Sequence, residues 1–350
     1  EDNLLHDLLR SFNSDAINNL EGDKFGRIYE YFLNEFAISG AQEGGEFFTP
    51  MSLVQTIVNI IKPDHGTILD PAVGSAGMFI QTGHFLERQG IKPGEKITLY
   101  GQEKTATNTK IARMNLAVHG LEGQIAETNS FYNDFFSLAG KCDFVMANPP
   151  FNVNGVDKET DAVKKDPRLL SVKDESGNIV RLTPNCDNAN YLWIQYFYGY
   201  LNETGRAGFV MASSASDAGY SERDIRKLLV NTGAVDVMVS IGTNFFYTRS
   251  LPCTLWFFDR AKESDPVKKD RTLMIDARSI YRVVTRKIND FSPEQLANIT
   301  LIVDLYRGDR QAFITLITSY SNQVETSLFA IPEAAISLSD LLEEQANRTA

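Results

Sequence analysis

Thr67-Ile68-Leu69-Asp70-Pro71-Ala72-Val73-Gly74-Ser75-Ala76-Gly77-Met78-Phe79 constrains the fold more than any other stretch of this chain. A short apolar run meets an acidic residue, then a glycine-bearing turn, then the apolar start of a helix. Strand, glycine turn and helix in that order form the first βα unit of a Rossmann-like sheet, where ligands sit beyond the carboxyl ends of the strands. The glycine spacing is not G-x-G-x-x-G, and no G-K-[ST] follows, so neither a dinucleotide fingerprint nor a phosphate-cradling loop is present. An acidic Asp70 at the strand end suits a cationic ligand better than a pyrophosphate. Read alone, an ordinary α/β turn with helix-packing glycines accounts for the segment too.

The second strand, Ile97-Thr98-Leu99-Tyr100-Gly101-Gln102-Glu103, ends on a carboxylate. One carboxylate at that tip accepts hydrogen bonds from both hydroxyls of a ribose. The polar stretch 87–95 reads as a surface loop that lengthens the interval between Asp70 and Glu103. A third strand, about 124–128, ends at Asn129, which is placed to meet an adenine edge.

A fourth apolar run, Cys142 to Ala147, ends in Asn148-Pro149-Pro150-Phe151. The Asn148 amide oxygen can accept one hydrogen from a planar amino group. The Pro149 carbonyl can accept the other, because the prolines fix the backbone and offer no competing N–H. Phe151 presents a flat face to a base turned out of its stack. Two acceptors on one nitrogen draw its lone pair out of conjugation, and the amine becomes nucleophilic without a strong base. A Pro-Pro turn closing a buried strand is the plainer reading of the same tetrad.

Ahead of the first strand stands Gly44-Gly45-Glu46-Phe47-Phe48-Thr49-Pro50-Met51, two aromatics before a helix start. Thr49 reads as its N-cap and Pro50 as its first turn. The element is either lid-like or a hydrophobic staple.

Taken together, these segments resemble the amino-group DNA methyltransferases that use S-adenosylmethionine, in the N6-adenine class whose cofactor motifs precede the catalytic one. Within that class the likeness is to the modification (M) subunit of type I restriction–modification systems. It spans roughly 20–260 and is dense at 44–51, 68–79, 100–104 and 147–151. The resemblance implies that Glu46, Phe47, Phe48, Thr49, Pro50 and Met51, together with Gly74, Ser75, Ala76 and Gly77, flank the methionine moiety of S-adenosylmethionine. Glu103 then holds the ribose, Asp70 and Asn129 complete the cofactor site, and Asn148, Pro149, Pro150 and Phe151 hold the target adenine. No metal is implied. The activity implied is that of a site-specific, adenine-specific DNA methyltransferase. Its partners are duplex DNA, a DNA specificity subunit, a second copy of this chain and, in some assemblies, a restriction (nuclease/translocase) subunit. The alternatives are a stand-alone methyltransferase of DNA, RNA or protein glutamine, and a catalytically idle scaffold subunit.

Charge bears on the same question. The formal net charge is −11, whereas phosphate contacts supply most of the affinity of a DNA-binding protein. An acidic enzyme of DNA needs a local basic patch or a basic partner, and the resemblance supplies the partner. Cys142, Cys186 and Cys253 have no paired spacing, which argues against a zinc site or a disulfide framework and for a reducing cytoplasm. His6, His65, His84 and His119 form no metal-ligating pattern. No run of 18 apolar residues and no signal-peptide pattern appears.

The expected architecture is α/β: a Rossmann-like methyltransferase sheet of seven strands, adding 207–212, 235–241 and 254–258 to those above. A helical N-terminal extension occupies 1–40, with Leu4, Leu8, Phe12, Phe25, Tyr29 and Phe36 on its apolar stripes, the methyltransferase domain 41–262, and a C-terminal strand and helical tail 263–350. The polar stretch 152–188 reads as a long loop over the site or a solvated one, and 244–250 as an aromatic, basic segment suited to hairpin packing or to stacking on nucleic acid. The chain lacks an initiator Met and reads as a trimmed fragment.

Overall fold

Parallel strands covered on both faces must be apolar along their whole length, and the sequence supplies such strands. The computed structural model describes residues 49–185, 187–246 and 250–349. Four parallel strands form the half that carries the motifs: β1 (Gly66–Asp70), β2 (Ile97–Glu103), β3 (Gly123–Glu127) and β4 (Cys142–Ala147). The helices between them are α1 (Met51–Ile61), ahead of β1, then α2 (Gly77–Glu87) and α3 (Ala106–Val118). The second half holds α4 (Asn190–Tyr200), β5 (Leu201–Ala212), α5 (Tyr220–Thr232), β6 (Val235–Ile241), β7 (Cys253–Asp259) and β8 (Leu273–Ala277).

These eight strands form one sheet in the order β8-β6-β7-β5-β4-β1-β2-β3. All neighbours are parallel except at β7, which runs antiparallel to both β5 and β6. The expected seven strands are present, and β8 makes an eighth by pairing with β6, Leu273 opposite Val237. Side chains alternate across a strand, and β5 shows what each face meets. Gly208 lies against Ile57 and Ile61 of α1, where an added Cβ would approach both methyls to 2.9 Å. Phe209, one residue on, joins the apolar cluster of α4 and α5 with Trp193, Tyr196, Phe197, Ile225 and Leu229. Helices therefore cover both faces.

The chain divides into two compact units, residues 1–296 and 297–350. The second consists of most of α6 (Pro293–Arg307) and of α7 (Arg310–Thr349). Two short hairpins stand outside the sheet, Ser171–Lys173 with Ile179–Arg181 and Arg282–Thr285 with Ile288–Asp290. No helix of the described residues is long and apolar enough to cross a membrane. The expected helical extension 1–40, and Glu46, Phe47 and Phe48, lie outside the described residues.

Candidate active site

The strand order reverses between β1 and β4, and the carboxyl ends of β1, β2, β3 and β4 meet at one edge. This is where an open α/β sheet leaves a crevice. A cavity of about 400 Å³ opens there. Pro71, Ala72 and Gly74 line it from the turn after β1, and Glu103, Lys104, Thr105 and Asn108 from the end of β2 and the start of α3. Thr128, Asn129, Ser130, Phe131 and Tyr132 follow β3, while Asn148, Pro150 and Val153 follow β4. Trp193 of α4 closes one wall.

The turn after β1 is built by left-handed backbone. Gly74 has φ +52° and Ala76 φ +67°, a conformation that costs a residue with a Cβ and recurs where function demands it. The space beside Gly74 and Gly77 is open, with nothing within 4 Å of an added Cβ. Glu103, 9% exposed, holds this turn: Oε2 accepts from Gly74 N at 3.1 Å and Oε1 from Thr105 N at 3.0 Å. A carboxylate has about four acceptor positions, so Glu103 is oriented by the backbone and still has capacity to accept more.

Asp70 occupies a different environment from Glu103. It is buried beneath the turn, its Oδ1 accepts from Ala72 N at 2.9 Å, and it is not among the cavity-lining residues. Burial pushes its carboxyl up to about 8, with the Ala72 N–H pulling the other way and Glu103 adding repulsion. Ser75 and Ala76 form the turn behind the cavity wall, and Asn115 Nδ2 donates to Ser75 O at 2.7 Å. The floor is fixed by Gln102, whose Nε2 donates to Ser130 Oγ at 2.7 Å, and Ser130 Oγ donates in turn to Pro71 O at 2.6 Å. One chain of bonds thus ties together the ends of β1, β2 and β3.

On the β4 side the deciding contact is long-range. Asn148 Nδ2 donates to Thr49 Oγ1 at 3.0 Å, across 99 residues of sequence. Asn148 Oδ1 is buried and has no hydrogen-bond partner among the described residues. A buried acceptor without a donor costs about 1–3 kcal/mol, and that cost points to a ligand or a functional strain. Thr49 is not the expected N-cap. Helix α1 begins at Met51 with Pro50 in the cap position and no side-chain cap; the proline carbonyl accepts from Leu53 N and Val54 N, so the hydroxyl is free to reach Asn148. Phe151 stands edge-on to Phe246, ring centroids 6.0 Å apart.

The stretch after the tetrad is held in place, and this was not legible in its polar sequence. Asn152, at φ +53°, donates from its backbone to Asn190 Oδ1 at 2.9 Å and accepts at Oδ1 from Asn190 Nδ2 at 2.8 Å. Further on, Arg168 is buried beside Asp166, donates to Tyr200 Oη at 2.6 Å, and lies 3.9 Å from the centre of the Tyr196 ring. Tyr196 Oη donates to the carbonyl of Phe131, a cavity-lining residue, at 3.0 Å.

The family model for N-6 DNA methylase matches residues 20–329. The chain belongs to the N-6 DNA methylase family. Among its curated relatives, the type I restriction enzyme MjaIX methylase subunit of Methanocaldococcus jannaschii is 39% identical over 81% of this chain and 49% of its own length. The HindI methylase subunit of Haemophilus influenzae is 33% identical over 83% of this chain and 62% of its own. The chain thus spans about half to three-fifths of these methylase subunits. Among solved structures, the type I restriction-modification system methyltransferase subunit from Streptococcus thermophilus superposes with TM-score 0.67 at 22% identity, over 82% of this chain and 58% of that one. That likeness shows a shared fold.

Proposed function

We propose that this chain is the methyl-transferring core of a type I modification subunit, an adenine-specific DNA methyltransferase acting on N6 of adenine in duplex DNA with S-adenosylmethionine. The observation that carries the reading is the Asn148 amide, whose donor end is fixed by Thr49 while its buried acceptor end has no partner among the described residues.

The residues present fit the cofactor. The open space beside Gly74 and Gly77 accommodates a ligand against backbone, and the Glu103 carboxylate at the cavity wall retains acceptor capacity for ribose hydroxyls. Gly74, Ser75, Ala76, Gly77 and Glu103 would hold it with Asn129 at the adenine edge, and Glu46 to Met51 would cover the methionine end. Asp70 acts through the turn it braces. When bound, S-adenosylmethionine supplies a methyl group on a positively charged sulfur.

This chain's own residues then do the positioning, which accounts for most of the acceleration where little covalent help is required. Asn148 Oδ1 and the Pro149 carbonyl each accept one hydrogen of the adenine amino group, and its lone pair turns toward the cavity. Phe151 stacks on the extruded base, a contact worth about 1–3 kcal/mol. Sequence choice falls to a specificity subunit, with a second copy of this chain on the other strand and a restriction subunit in the nuclease form of the complex, all in the cytoplasm.

The test combines calorimetric titration with S-adenosylmethionine and transfer of a labelled methyl group to DNA. Asn148→Ala should abolish transfer and leave cofactor affinity within about threefold, because the lost hydrogen bond is to the base. Near-normal single-turnover transfer by this variant would remove Asn148 from the reaction.

A further inference from the structure

Around the active-site edge, one surface element has a charge opposite to that of the whole chain. Strand β8 runs parallel to β6, β4 and β1, so its end at Ala277 lies on the same edge of the sheet as Asn148. Between Arg278 and Ile288 the chain carries Arg278, Arg282, Arg286 and Lys287 and no acidic residue, in a protein of net charge −11. Most of this stretch folds as the two-stranded hairpin Arg282–Thr285 with Ile288–Asp290, Arg286 and Lys287 forming its two-residue tip.

The four charges are not equivalent. Arg278 is paired with Asp276 and Arg282 with Asp290, each through two hydrogen bonds of 2.7–2.9 Å. Arg286 and Lys287 are exposed and have no ion-pair partner among the described residues. The Arg282–Asp290 pair joins the two strands at the base of the ribbon, and the charge is left at its tip.

The ribbon is also anchored to the base-binding tetrad. Gly242 allows the chain leaving β6 to lie against the chain leaving β8: a Cβ there would meet the Arg278 carbonyl oxygen at 2.6 Å. Asn289 donates to Asn244 O at 2.7 Å from its backbone and to Thr243 O at 3.1 Å from its side chain. Phe291 packs on Phe245 at 4.9 Å, and the adjacent Phe246 meets Phe151. A continuous set of contacts therefore runs from Phe151 to the foot of the hairpin.

We propose that the hairpin 282–290 is this chain's own contact with duplex DNA, its Arg286 and Lys287 each meeting a backbone phosphate beside the flipped adenine. The inference rests on the DNA-methyltransferase reading for the orientation of the duplex, but the binding itself is measurable without methyl transfer. Phosphate contacts carry no sequence information, so the hairpin gives this chain grip without selectivity.

The experiment is fluorescence anisotropy of the chain with a labelled random-sequence duplex of about 30 base pairs, between about 50 and 200 mM KCl. Each phosphate contact contributes about 0.9 to the slope of log affinity against log salt, so Arg286→Ala/Lys287→Ala should lower that slope by about 1.8 and weaken binding roughly tenfold. Arg286→Lys/Lys287→Arg, which keeps both charges, should retain the slope. Both side chains are exposed, so an unchanged thermal melt verifies the fold. An unaltered slope in the alanine pair overturns the proposal, as does failure of the unmodified chain to bind the duplex at the lowest salt. Loss of binding to a co-expressed specificity subunit with DNA affinity unchanged would make the ribbon a protein contact and also overturn it. Loss of the slope in a chain that transfers no methyl group would uphold the hairpin and reject the methyltransferase reading instead.

Discussion

An asparagine amide has two nearly isosteric faces, one of which donates and one of which accepts, and only the second can hold an amino group. In the arrangement seen, Thr49 Oγ1 accepts the Asn148 Nδ2 hydrogen, and Oδ1 is the end without a partner among the described residues. Thr49→Val keeps the shape and removes the acceptor, which leaves the amide free to turn its NH2 toward the substrate amine. The expected result is a fall of about tenfold or more in transfer rate, equivalent to about 1–2 kcal/mol for one hydrogen bond, with cofactor affinity unchanged in calorimetry. Thr49→Ser should keep the rate. In an Asn148→Asp background, where both oxygens accept, Thr49→Val should cost little. An equal loss in both backgrounds would make Thr49 a packing residue only.

A second residue makes the stability of the fold depend on pH. The Asp70 carboxyl, pushed up to about 8 from its ordinary 3.8 by burial, keeps its proton in the folded chain where the unfolded chain has released it. Stability from this group is complete below the unfolded value and is lost as pH rises through about 8. Urea titrations from about pH 5 to pH 9 should show wild type losing stability relative to Asp70→Asn as pH rises. Parallel curves would mean that another group sets the dependence.

The insertion after the tetrad owes its order to a buried ion pair. Arg168 and Asp166 are both shielded from solvent, and removing one partner strands the other charge. Arg168→Met should cost about 3–5 kcal/mol in urea unfolding, and a further Asp166→Asn change should recover part of it. No recovery would indicate that the Tyr196 and Tyr200 contacts, not the charge pairing, dominate. How much was legible follows the same physics. Strand β4 and the inner parts of β1 and β2 read correctly because burial makes them apolar and their ends mark the crevice, whereas the edge strand β3 is legible only through Ile125 and Ala126. Strand β8 lies at the sheet edge with Met274 exposed, so its alternation was too weak to place it in the sheet. Thr49 is not legible from its neighbours because its partner stands 99 residues away in sequence. Asp166, the ion-pair partner of Arg168, is only two residues away, but the Tyr200 that Arg168 also meets stands 32 residues off, so the burial of the pair is not legible locally. The basic hairpin is not legible because Arg286-Lys287 is only a two-residue basic pair in sequence, and its place on the active-site edge follows only from the pairing of β8 with β6.

For the molecule as a whole, an acidic chain with a small basic ribbon should hold DNA without reading it. The net charge of −11 opposes approach to a polyanion, and two tip cations add only two phosphate contacts. Non-specific binding at physiological salt then falls in the usual range of about 10⁻⁴ to 10⁻⁶ M. Base-edge readout requires side chains in a groove, which a phosphate-contacting ribbon does not provide; the proposed specificity subunit would supply it. The chain alone, incubated with labelled S-adenosylmethionine and random-sequence plasmid, should give sparse methylation spread over many adenines. Addition of a specificity subunit should concentrate it at one sequence, and the proposed pair of copies of this chain flanking the site predicts one modified adenine on each strand. Sequencing of the modified positions distinguishes the cases. Robust methylation at a single defined sequence by this chain alone would reject the subunit reading and require base-reading residues within its own 350.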